Sequence, residues 1–191
     1  MATRIDGKAL AAQVKARAAE GAQGLRRKPG LAVILVGDDP ASRVYVTGKE
    51  KDCAECGFLS FEYKLPADTT QETLMELVER LNGEEAVDGI LCQLPLPKHL
   101  NEEQILNAIS PEKDVDCFHP VNVGRLSIGA PVFLPCTPAG VMEMLRAYEI
   151  PVAGKRCVVL GRSNIVGKPM AMLLIQQDGT ENTTGFAIGY L

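Results

Sequence analysis

The run Leu31-Ala-Val-Ile-Leu-Val36 is uninterrupted apolar sequence between Gly30 and Gly37. A strand that is apolar on both faces is typical of a parallel sheet with helices packed on both sides. Helix-like patterns precede and follow this run, so the sequence predicts an α/β fold with a mainly parallel sheet. No apolar run approaches the roughly 18 residues that a membrane span needs, so we expect no membrane partner.

Apolar spacing and capping residues extend the prediction along the chain. Asp39 and Gly57 are predicted to cap the two ends of the second helix. Thr69-x-x-Glu72 is predicted to form a capping box at the start of the third. Helices are predicted at 6–24, 40–56, 69–81, 101–109, 137–148 and from 167, strands at 59–65, 88–94 and 156–160, and irregular chain at 111–135.

Composition excludes several classes of protein. The chain has 191 residues, and its formal net charge of -4 offers no electrostatic basis for nucleic-acid binding. Six cysteines, with no secretory signal pattern at the start, favour the cytoplasm or another reducing compartment such as the mitochondrial matrix. Cys53 and Cys56 form a close pair, interpreted as structural thiols near a helix end, with a redox or metal role left open. No metal site is predicted.

A lysine and a tyrosine on the second helix are candidates for chemistry. Ser42, Tyr45 and Lys49 stand at i, i+3 and i+7 and share one helix face. A lysine there could act as an acid or base, although a solvated helix face has the same spacing. Gln93 lies where a predicted strand ends, at the sheet edge where ligands collect. Its amide could hold a lysine or a substrate, or only cap the strand.

Two later segments carry polar groups that could bind ligands. Lys113-Asp-Val-Asp-Cys-Phe-His119 holds two acids that could bind a polar ring or a cation, or could form turns. His119 is interpreted as a loop residue. Gly161-Arg-Ser-Asn-Ile-Val-Gly-Lys-Pro169 follows a strand and opens a helix, where phosphates meet backbone N–H groups. It matches neither a Walker A loop nor G-x-G-x-x-G, but Arg162 could accommodate the 2′-phosphate of NADP.

Five segments, taken in order, resemble the bifunctional methylenetetrahydrofolate dehydrogenase (NADP)/methenyltetrahydrofolate cyclohydrolase family. The resemblance covers residues from about 4 to 174. It implies a three-layer parallel-sheet folate domain at 1–150, followed at 151–191 by the first strand, turn and helix of a Rossmann-like NADP domain. The segments are Ser42-x-x-Tyr45-x-x-x-Lys49, Asp88-Gly-Ile-Leu-Cys-Gln-Leu-Pro-Leu-Pro97, Pro111-Glu-Lys-Asp-Val-Asp116, Pro135-Cys-Thr-Pro-Ala-Gly140 and Gly161-Arg-Ser-Asn-Ile-Val-Gly-Lys-Pro169.

The resemblance implies an enzyme of one-carbon metabolism and purine biosynthesis. Methylenetetrahydrofolate would pass hydride to NADP, and water would then open methenyltetrahydrofolate to 10-formyltetrahydrofolate. Lys49 would handle protons, Gln93 would hydrogen-bond Lys49, Tyr45 would pack on the folate rings, and Asp116 would anchor the amino-pyrimidine edge. The implied catalytic residues are Lys49, Tyr45, Gln93 and Asp116, the substrate contacts add Ser42, Leu94 and Pro95, and the NADP contacts are Gly161, Arg162 and Ser163.

Two departures from the family pattern matter. Cys117 stands where the family usually has glycine, so a positive φ there would strain the chain and could misplace Asp116. After Leu174 the sequence offers no family match. We therefore expect an incomplete NADP site, doubtful dehydrogenase activity, weakening of the family's homodimer, and exposed apolar surface around Val158–Leu174.

Two rival interpretations follow from the same residues. Short-chain dehydrogenases also place Tyr-x-x-x-Lys on a helix, but their glycine-rich turn precedes that helix, whereas Gly161 follows it. The alternative function is a non-catalytic protein that binds folate or pairs with a full-length subunit. Separate assays of NADP reduction and of methenyltetrahydrofolate hydrolysis discriminate between these interpretations.

Overall fold

The computed structural model describes residues 4–176 and the backbone of residues 186–189. Within those ranges, no helix has both the length and the apolar character that a membrane span requires. The strands are β1 Gly30–Val36, β2 Leu59–Leu65, β3 Gly89–Cys92, β4 Cys157–Leu160 and β5 Phe186–Gly189. The helices are α1 Gly7–Gln23, α2 Pro40–Cys56, α3 Gln71–Gly83, α4 Glu102–Ala108, α5 Pro120–Ser127, α6 Cys136–Ala147 and α7 Gly167–Gln176.

The chain divides into two compact units. The first unit holds residues 11–115 and contains a parallel sheet in the order β2-β1-β3. The second unit holds the residues before 11 and those from 116 onward, and contains the parallel pair β4-β5. The domain boundary predicted near residue 150 stays a prediction.

Strand β1 lies between two hydrophobic cores. Ala32, Ile34 and Val36 pack with apolar side chains of α3 and α4, whereas Val33 and Leu35 pack on the other face with Val46 of α2. Each large side chain so buried stabilises the fold by roughly 1.5–3 kcal/mol. Helices on both faces of a parallel sheet confirm the predicted α/β class and three-layer arrangement for this unit.

A carboxylate fixes how β1 and β3 are paired at their starts. Asp88 Oδ2 accepts the Gly30 N–H at 2.8 Å, and the Arg27 guanidinium donates to both carboxylate oxygens at 2.7 and 2.6 Å. The Arg27 hydrogen bonds lower the pKa of Asp88 below its ordinary value. A Cβ at Gly30 would lie 1.9 Å from the Ala86 carbonyl oxygen, so the close approach requires glycine. This register determines where β3 ends.

Helix α2 has the ends that the sequence predicts. Asp39 Oδ2 accepts the Ser42 N–H at 2.8 Å. Hydrogen bonds from the Ser42 backbone and side chain lower the pKa of Asp39. Pro40 is the first helical residue. At the other end Gly57 adopts φ 75°, and its N–H donates to the Ala54 carbonyl at 3.2 Å. Both caps are confirmed, so the position of the lysine-bearing helix is set by local residues.

The capping box predicted at Thr69 is wrong. The N-cap of α3 is Thr70, whose hydroxyl oxygen accepts the Thr73 N–H at 3.2 Å. The Thr69 hydroxyl instead donates to the Pro66 carbonyl at 2.7 Å. Thr69 therefore closes the preceding turn, and the N-cap lies one residue later than predicted.

The segment 111–135, predicted to be irregular, contains helix α5. Pro120 opens this helix of 8 residues, and His119 caps it through Nδ1, which accepts the Val121 N–H at 3.1 Å. Leu126 is fully buried on its inner side. Two turns are too few to show a clear apolar period, and Gly124 in the interior weakens the pattern further.

Strand β5 corrects the expectation that the tail adds no strand to the second unit. Residues 186–189 pair in parallel with β4, with Cys157 opposite Phe186. The second unit therefore contains a second parallel strand after α7, in addition to the strand, turn and helix that the resemblance implies. On β4 itself, Val158 and Leu160 are 67% and 70% exposed, which confirms the start of the apolar surface expected at Val158–Leu174. The expectation is wrong for α7, where Met170, Ala171, Leu173 and Leu174 are buried in the core of this unit.

Helices α2 and α6 end with the same backbone motif but with different residues in the left-handed position. Gly57 follows α2 with φ 75°, whereas Glu149 follows α6 with φ 52°. The Glu149 N–H donates to the Arg146 carbonyl at 3.1 Å, and the next N–H donates to the Leu145 carbonyl at 2.9 Å. The left-handed conformation costs a residue with a Cβ roughly 1–2 kcal/mol.

We expect Glu149→Gly to stabilise the protein by about 1 kcal/mol, because glycine adopts this conformation without that cost. The Glu149 side chain is exposed, so little packing is lost. Chemical denaturation of the purified chain measures the change. The matched control is Gly57→Ala at the equivalent position of α2, which should lose a similar amount. A lower denaturation midpoint for Glu149→Gly would contradict the account.

Candidate active site

Lys49 and Gln93 come together although 44 residues separate them. Lys49 Nζ donates to Gln93 Oε1 at 2.9 Å, which confirms the expected hydrogen bond. The Gln93 backbone N–H donates to the Ile34 carbonyl at 2.9 Å, so the residue extends the β1–β3 ladder beyond the end of β3. Gln93 Nε2 donates to the Leu94 carbonyl at 2.8 Å. That bond orients the amide so that its oxygen faces the lysine.

Tyr45 and Ser42, which lie on the same helix as Lys49, differ in their exposure to solvent. The Lys49 ammonium lies 5.9 Å from the centroid of the Tyr45 ring, within the range of a cation–π contact. Tyr45 is 66% exposed and presents a flat ring to solvent. Ser42 is only 3% exposed and lies on the sheet side of α2. The three residues predicted to share one helix face therefore differ in exposure: Ser42 is buried, Lys49 is half-buried and Tyr45 is exposed.

Leu94 and Pro95 continue the chain directly from Gln93. The peptide bond between them is cis. Leu94 is partly buried against the α3–α4 side of the sheet, and Pro95 is exposed. The Leu94 carbonyl orients the Gln93 amide, a role for a backbone atom that no sequence pattern reveals. Contacts of these two residues with a substrate stay predictions.

The first half of the Asp-Val-Asp segment runs beside β3. The Ile90 N–H donates to the Lys113 carbonyl at 2.7 Å, and Ile90 forms a parallel bridge with Asp114. A Cβ at Gly89 would lie 2.4 Å from Val115 Cγ1, so Val115 occupies the space beside that glycine. Asp114 is 3% exposed. Asp114 therefore makes a single bridge to β3 between turns at 111–113 and 115–116, and ligand binding by the two acids stays a prediction.

Asp116 and Cys117 open the second unit of the chain. Asp116 is half-buried. Cys117 is fully buried and has φ 59°, in the left-handed region. The premise that this position needs a positive φ is confirmed. The thiol-bearing residue holds a conformation that costs roughly 1–2 kcal/mol, directly after the predicted pterin ligand.

The turn after β4 has the features of a phosphate-binding turn. Gly161 has φ 133°, and its Cα faces open space. A Cβ at Gly167 would lie 2.6 Å from the Gly161 carbonyl oxygen, so glycine is needed where α7 meets the turn. Ser163 Oγ accepts the N–H groups of Val166 and Gly167 at 3.1 and 3.2 Å. Glycines and a helix N-terminus are what a dinucleotide phosphate requires.

The paired cysteines near the end of α2 are both buried, free thiols. Burial raises the pKa of Cys53, which keeps its thiol protonated and unreactive. Cys56 Sγ lies 3.6 Å from the Lys15 carbonyl. In the parts of the chain that the structure describes, no group of three metal-ligating side chains gathers. The burial of both thiols favours the structural interpretation, which stays a prediction.

Family models match both units. The model described as "Tetrahydrofolate dehydrogenase/cyclohydrolase, catalytic domain" matches residues 5–116. The model described as "Tetrahydrofolate dehydrogenase/cyclohydrolase, NAD(P)-binding domain" matches residues 135–186. The second match extends beyond Leu174, so the expectation that family similarity ends there is wrong.

Individual relatives agree with the family models. The chain is 59% identical over 179 residues to the "Bifunctional protein FolD" of Ruminiclostridium cellulolyticum, covering 92% of this chain and 63% of the relative. A FolD crystal structure from Campylobacter jejuni has a TM-score of 0.93 and 48% identity, covering 99% of this chain and 67% of that one. A Trypanosoma brucei FolD structure complexed with NADP cofactor and inhibitor has a TM-score of 0.92 and 42% identity, covering 99% of this chain and 64% of that one.

We expect Cys117→Gly to be at least as stable as Cys117→Ala. At an ordinary buried position glycine is less stable than alanine by roughly 0.5–1 kcal/mol, but here only glycine relieves the left-handed backbone. Both variants lose the buried thiol, so alanine is the matched control. Denaturation midpoints decide the order. We also expect Cys117→Gly to tighten folate binding by relaxing Asp116, and an unchanged or weaker affinity would contradict that effect.

Proposed function

The chain belongs to the tetrahydrofolate dehydrogenase/cyclohydrolase family, and we propose that it carries out both reactions in the family's name. It spans 63% of the length of the first curated relative. The proposed substrates are 5,10-methylenetetrahydrofolate, which is oxidised to 5,10-methenyltetrahydrofolate, and the methenyl compound, which is hydrolysed to 10-formyltetrahydrofolate. The observation that supports this most is the hydrogen bond between Lys49 and Gln93 beside an exposed tyrosine.

Hydrolysis of the methenyl bridge needs a group that moves protons. Water adds to the bridge carbon and loses a proton, which leaves a hydroxyl group on that carbon. The bond from that carbon to N5 then breaks, N5 gains a proton, and the hydroxyl loses its proton to become the formyl oxygen. The net reaction consumes one water and releases one proton from the cationic substrate. Lys49 in its neutral form takes the proton from the attacking water and returns one to N5. Proton transfer by a positioned side chain contributes about 10²–10⁴-fold to rate.

Gln93 supports this role by holding the amine. Because Nε2 of Gln93 is engaged by the Leu94 carbonyl, only the Oε1 acceptor faces Lys49. One Lys49 N–H is thereby fixed, and the remaining positions on Nζ point away from the amide. The amide oxygen is an uncharged acceptor, so it holds the amine by a hydrogen bond without forming an ion pair. We propose that Gln93 is a glutamine for this reason.

Tyr45 and Asp116 supply binding in this proposal. The exposed Tyr45 ring offers a flat apolar face for the folate rings. The Asp116 carboxylate pairs with the adjacent N–H donors of the amino-pyrimidine edge, an arrangement that charged bidentate hydrogen bonds favour. Ser42, Leu94 and Pro95 complete the proposed substrate contacts.

NADP fits the turn after β4. Gly161, Arg162 and Ser163 would hold its phosphates, with the open space at Gly161 and the α7 N-terminus receiving the charge. The cofactor, when bound, accepts the hydride from the methylene carbon. Arg162 would favour a 2′-phosphate and therefore NADP over NAD. The chain's own contribution to oxidation is to orient the folate bridge.

Two further properties are proposed on the family resemblance. We propose that the chain forms the family's homodimer in a weakened form, and the exposed Val158 and Leu160 side chains are consistent with apolar contact surface on β4. We also propose a cytoplasmic or other reducing location. None of the six cysteines forms a disulfide, and Cys136 is exposed, which fits such a location.

We expect Lys49→Met to slow methenyltetrahydrofolate hydrolysis by about 10²–10⁴-fold, because the variant keeps the aliphatic stem but cannot transfer protons. Stopped-flow loss of the methenyl chromophore, corrected for spontaneous hydrolysis, gives the rate. Lys51→Met is the matched control on the same helix, since Lys51 makes only an exposed ion pair with Glu55 at 3.9 Å.

The outcomes separate the candidate functions. Hydrolysis that falls with Lys49→Met and not with Lys51→Met supports the proposed role. Folate binding without hydrolysis in the unmodified chain would instead indicate a non-catalytic binding protein. NADP reduction with methylenetetrahydrofolate is measured separately, because it also requires the cofactor site. Its absence alongside normal hydrolysis would restrict the proposal to the cyclohydrolase reaction.

A further inference from the structure

Lys113 makes contacts that its place in an acidic loop does not suggest. Its ammonium donates to the carbonyl oxygens of Leu81 and Glu84 at 3.0 and 2.8 Å. These carbonyls belong to the C-terminal end of α3, where the helix dipole is negative, and each accepts one backbone N–H, from Glu84 and Val87, besides the ammonium. A cation on this end is favourable because of the dipole. Lys113 therefore joins its own segment to α3 from outside the helix.

A second side chain holds the beginning of the same segment. Asn82, also in the last turn of α3, donates from Nδ2 to the Ala108 carbonyl at 2.8 Å. Its Oδ1 accepts the Ser110 N–H at 2.9 Å. The chain from 108 to 113 is thus attached at both ends to one turn of α3.

The backbone of Lys113 is attached to a different element. Its carbonyl accepts the Ile90 N–H of β3 at 2.7 Å, and the next residue, Asp114, continues the parallel bridge. Gln93 lies at the end of the same strand, three residues beyond Ile90. Lys113 therefore ties the Asp-Val-Asp segment both to α3 and to the strand that carries Gln93.

We propose that Lys113 is a positioning residue for Asp116, which follows it by three residues. The inference rests on the proposed function, in which Asp116 binds the pterin. The Lys113 side chain fixes the position of the segment relative to the end of α3. The Lys113 carbonyl fixes the register of the segment against β3. Removing the ammonium leaves the register bond and the Asn82 contacts at the start of the segment, but it releases the end nearer Asp116 from α3. The carboxylate of Asp116 then samples more positions, and the substrate binds more weakly.

This role differs from general support of the fold in its kinetic consequence. A purely structural lysine would, on removal, lower the fraction of folded protein and so reduce the maximal rate without changing KM. A positioning lysine changes KM, while the proton-transfer step at Lys49 keeps its kcat. The effect must also act through Asp116, so it should disappear once Asp116 can no longer bind the pterin.

The test measures methenyltetrahydrofolate hydrolysis by the full chain and by Lys113→Met, Lys113→Arg, Asp116→Asn and the double variant Lys113→Met/Asp116→Asn. We expect Lys113→Met to raise KM about tenfold with kcat within about twofold, a size typical of losing charge-assisted hydrogen bonds. Lys113→Arg, which can donate to both carbonyls, should restore KM to within about threefold. Lys8→Met, an exposed lysine of α1, controls for loss of one positive charge.

The double variant decides the mechanism. We expect Lys113→Met to add no further increase in KM when Asp116→Asn is already present. An unchanged KM for Lys113→Met, or equal increases in both backgrounds, would overturn the positioning role. An unmodified chain that neither binds nor hydrolyses methenyltetrahydrofolate would overturn the proposed function and this inference with it. A chain that hydrolyses normally but shows no Lys113 effect would overturn only the inference.

Discussion

Ala32, Ile34 and Val36 face one core while Val33 and Leu35 face the other, so β1 cannot shift by one residue without exchanging two sets of buried side chains. The other strands and helices of the first unit are positioned relative to this strand. Asp88 and Gly30 set the start of β3 against β1, and Gln93 bonds to Ile34 where β3 ends. Helix α2 packs on the opposite face of β1 and carries Lys49. The meeting of Lys49 and Gln93 is therefore a consequence of how β1 is buried.

The position of the Asp-Val-Asp segment depends in turn on β3, which pairs with β1. Ile90 of β3 holds the Lys113 carbonyl, and α3 holds the Lys113 ammonium. Directly after this segment, Cys117 adopts the left-handed backbone conformation, which favours glycine over a residue with a side chain. Glu149 repeats the conflict at the end of α6. We expect the strained backbone at Cys117 to affect function because it lies beside Asp116, the proposed pterin-binding residue. The same strain at Glu149, on an exposed helix end, is expected to affect stability alone.

The residues that the sequence predicts well are those with local physical causes. Asp39, Pro40 and Gly57 act within a few residues of themselves, and both ends of α2 are where they indicate. Helix α5 was not predicted, because its two turns bury few residues and contain glycine. Thr69 and Thr70 are chemically equivalent, and only the contact with Pro66 decides which of them caps α3.

The candidate site could be predicted only in part for the same reason. Spacing places Tyr45 and Lys49 on one helix, but the bond to Gln93 spans 44 residues and came from family resemblance. The contacts of Lys113 with α3 depend on tertiary packing that no local pattern encodes. The most direct test of the central claim, that Lys49 and Gln93 act as one unit, is single-turnover hydrolysis of methenyltetrahydrofolate by Gln93→Met in the native and Lys49→Met backgrounds. The account predicts a rate loss of about 10–100-fold for Gln93→Met alone and no further loss beside Lys49→Met, whereas equal losses in both backgrounds would contradict it.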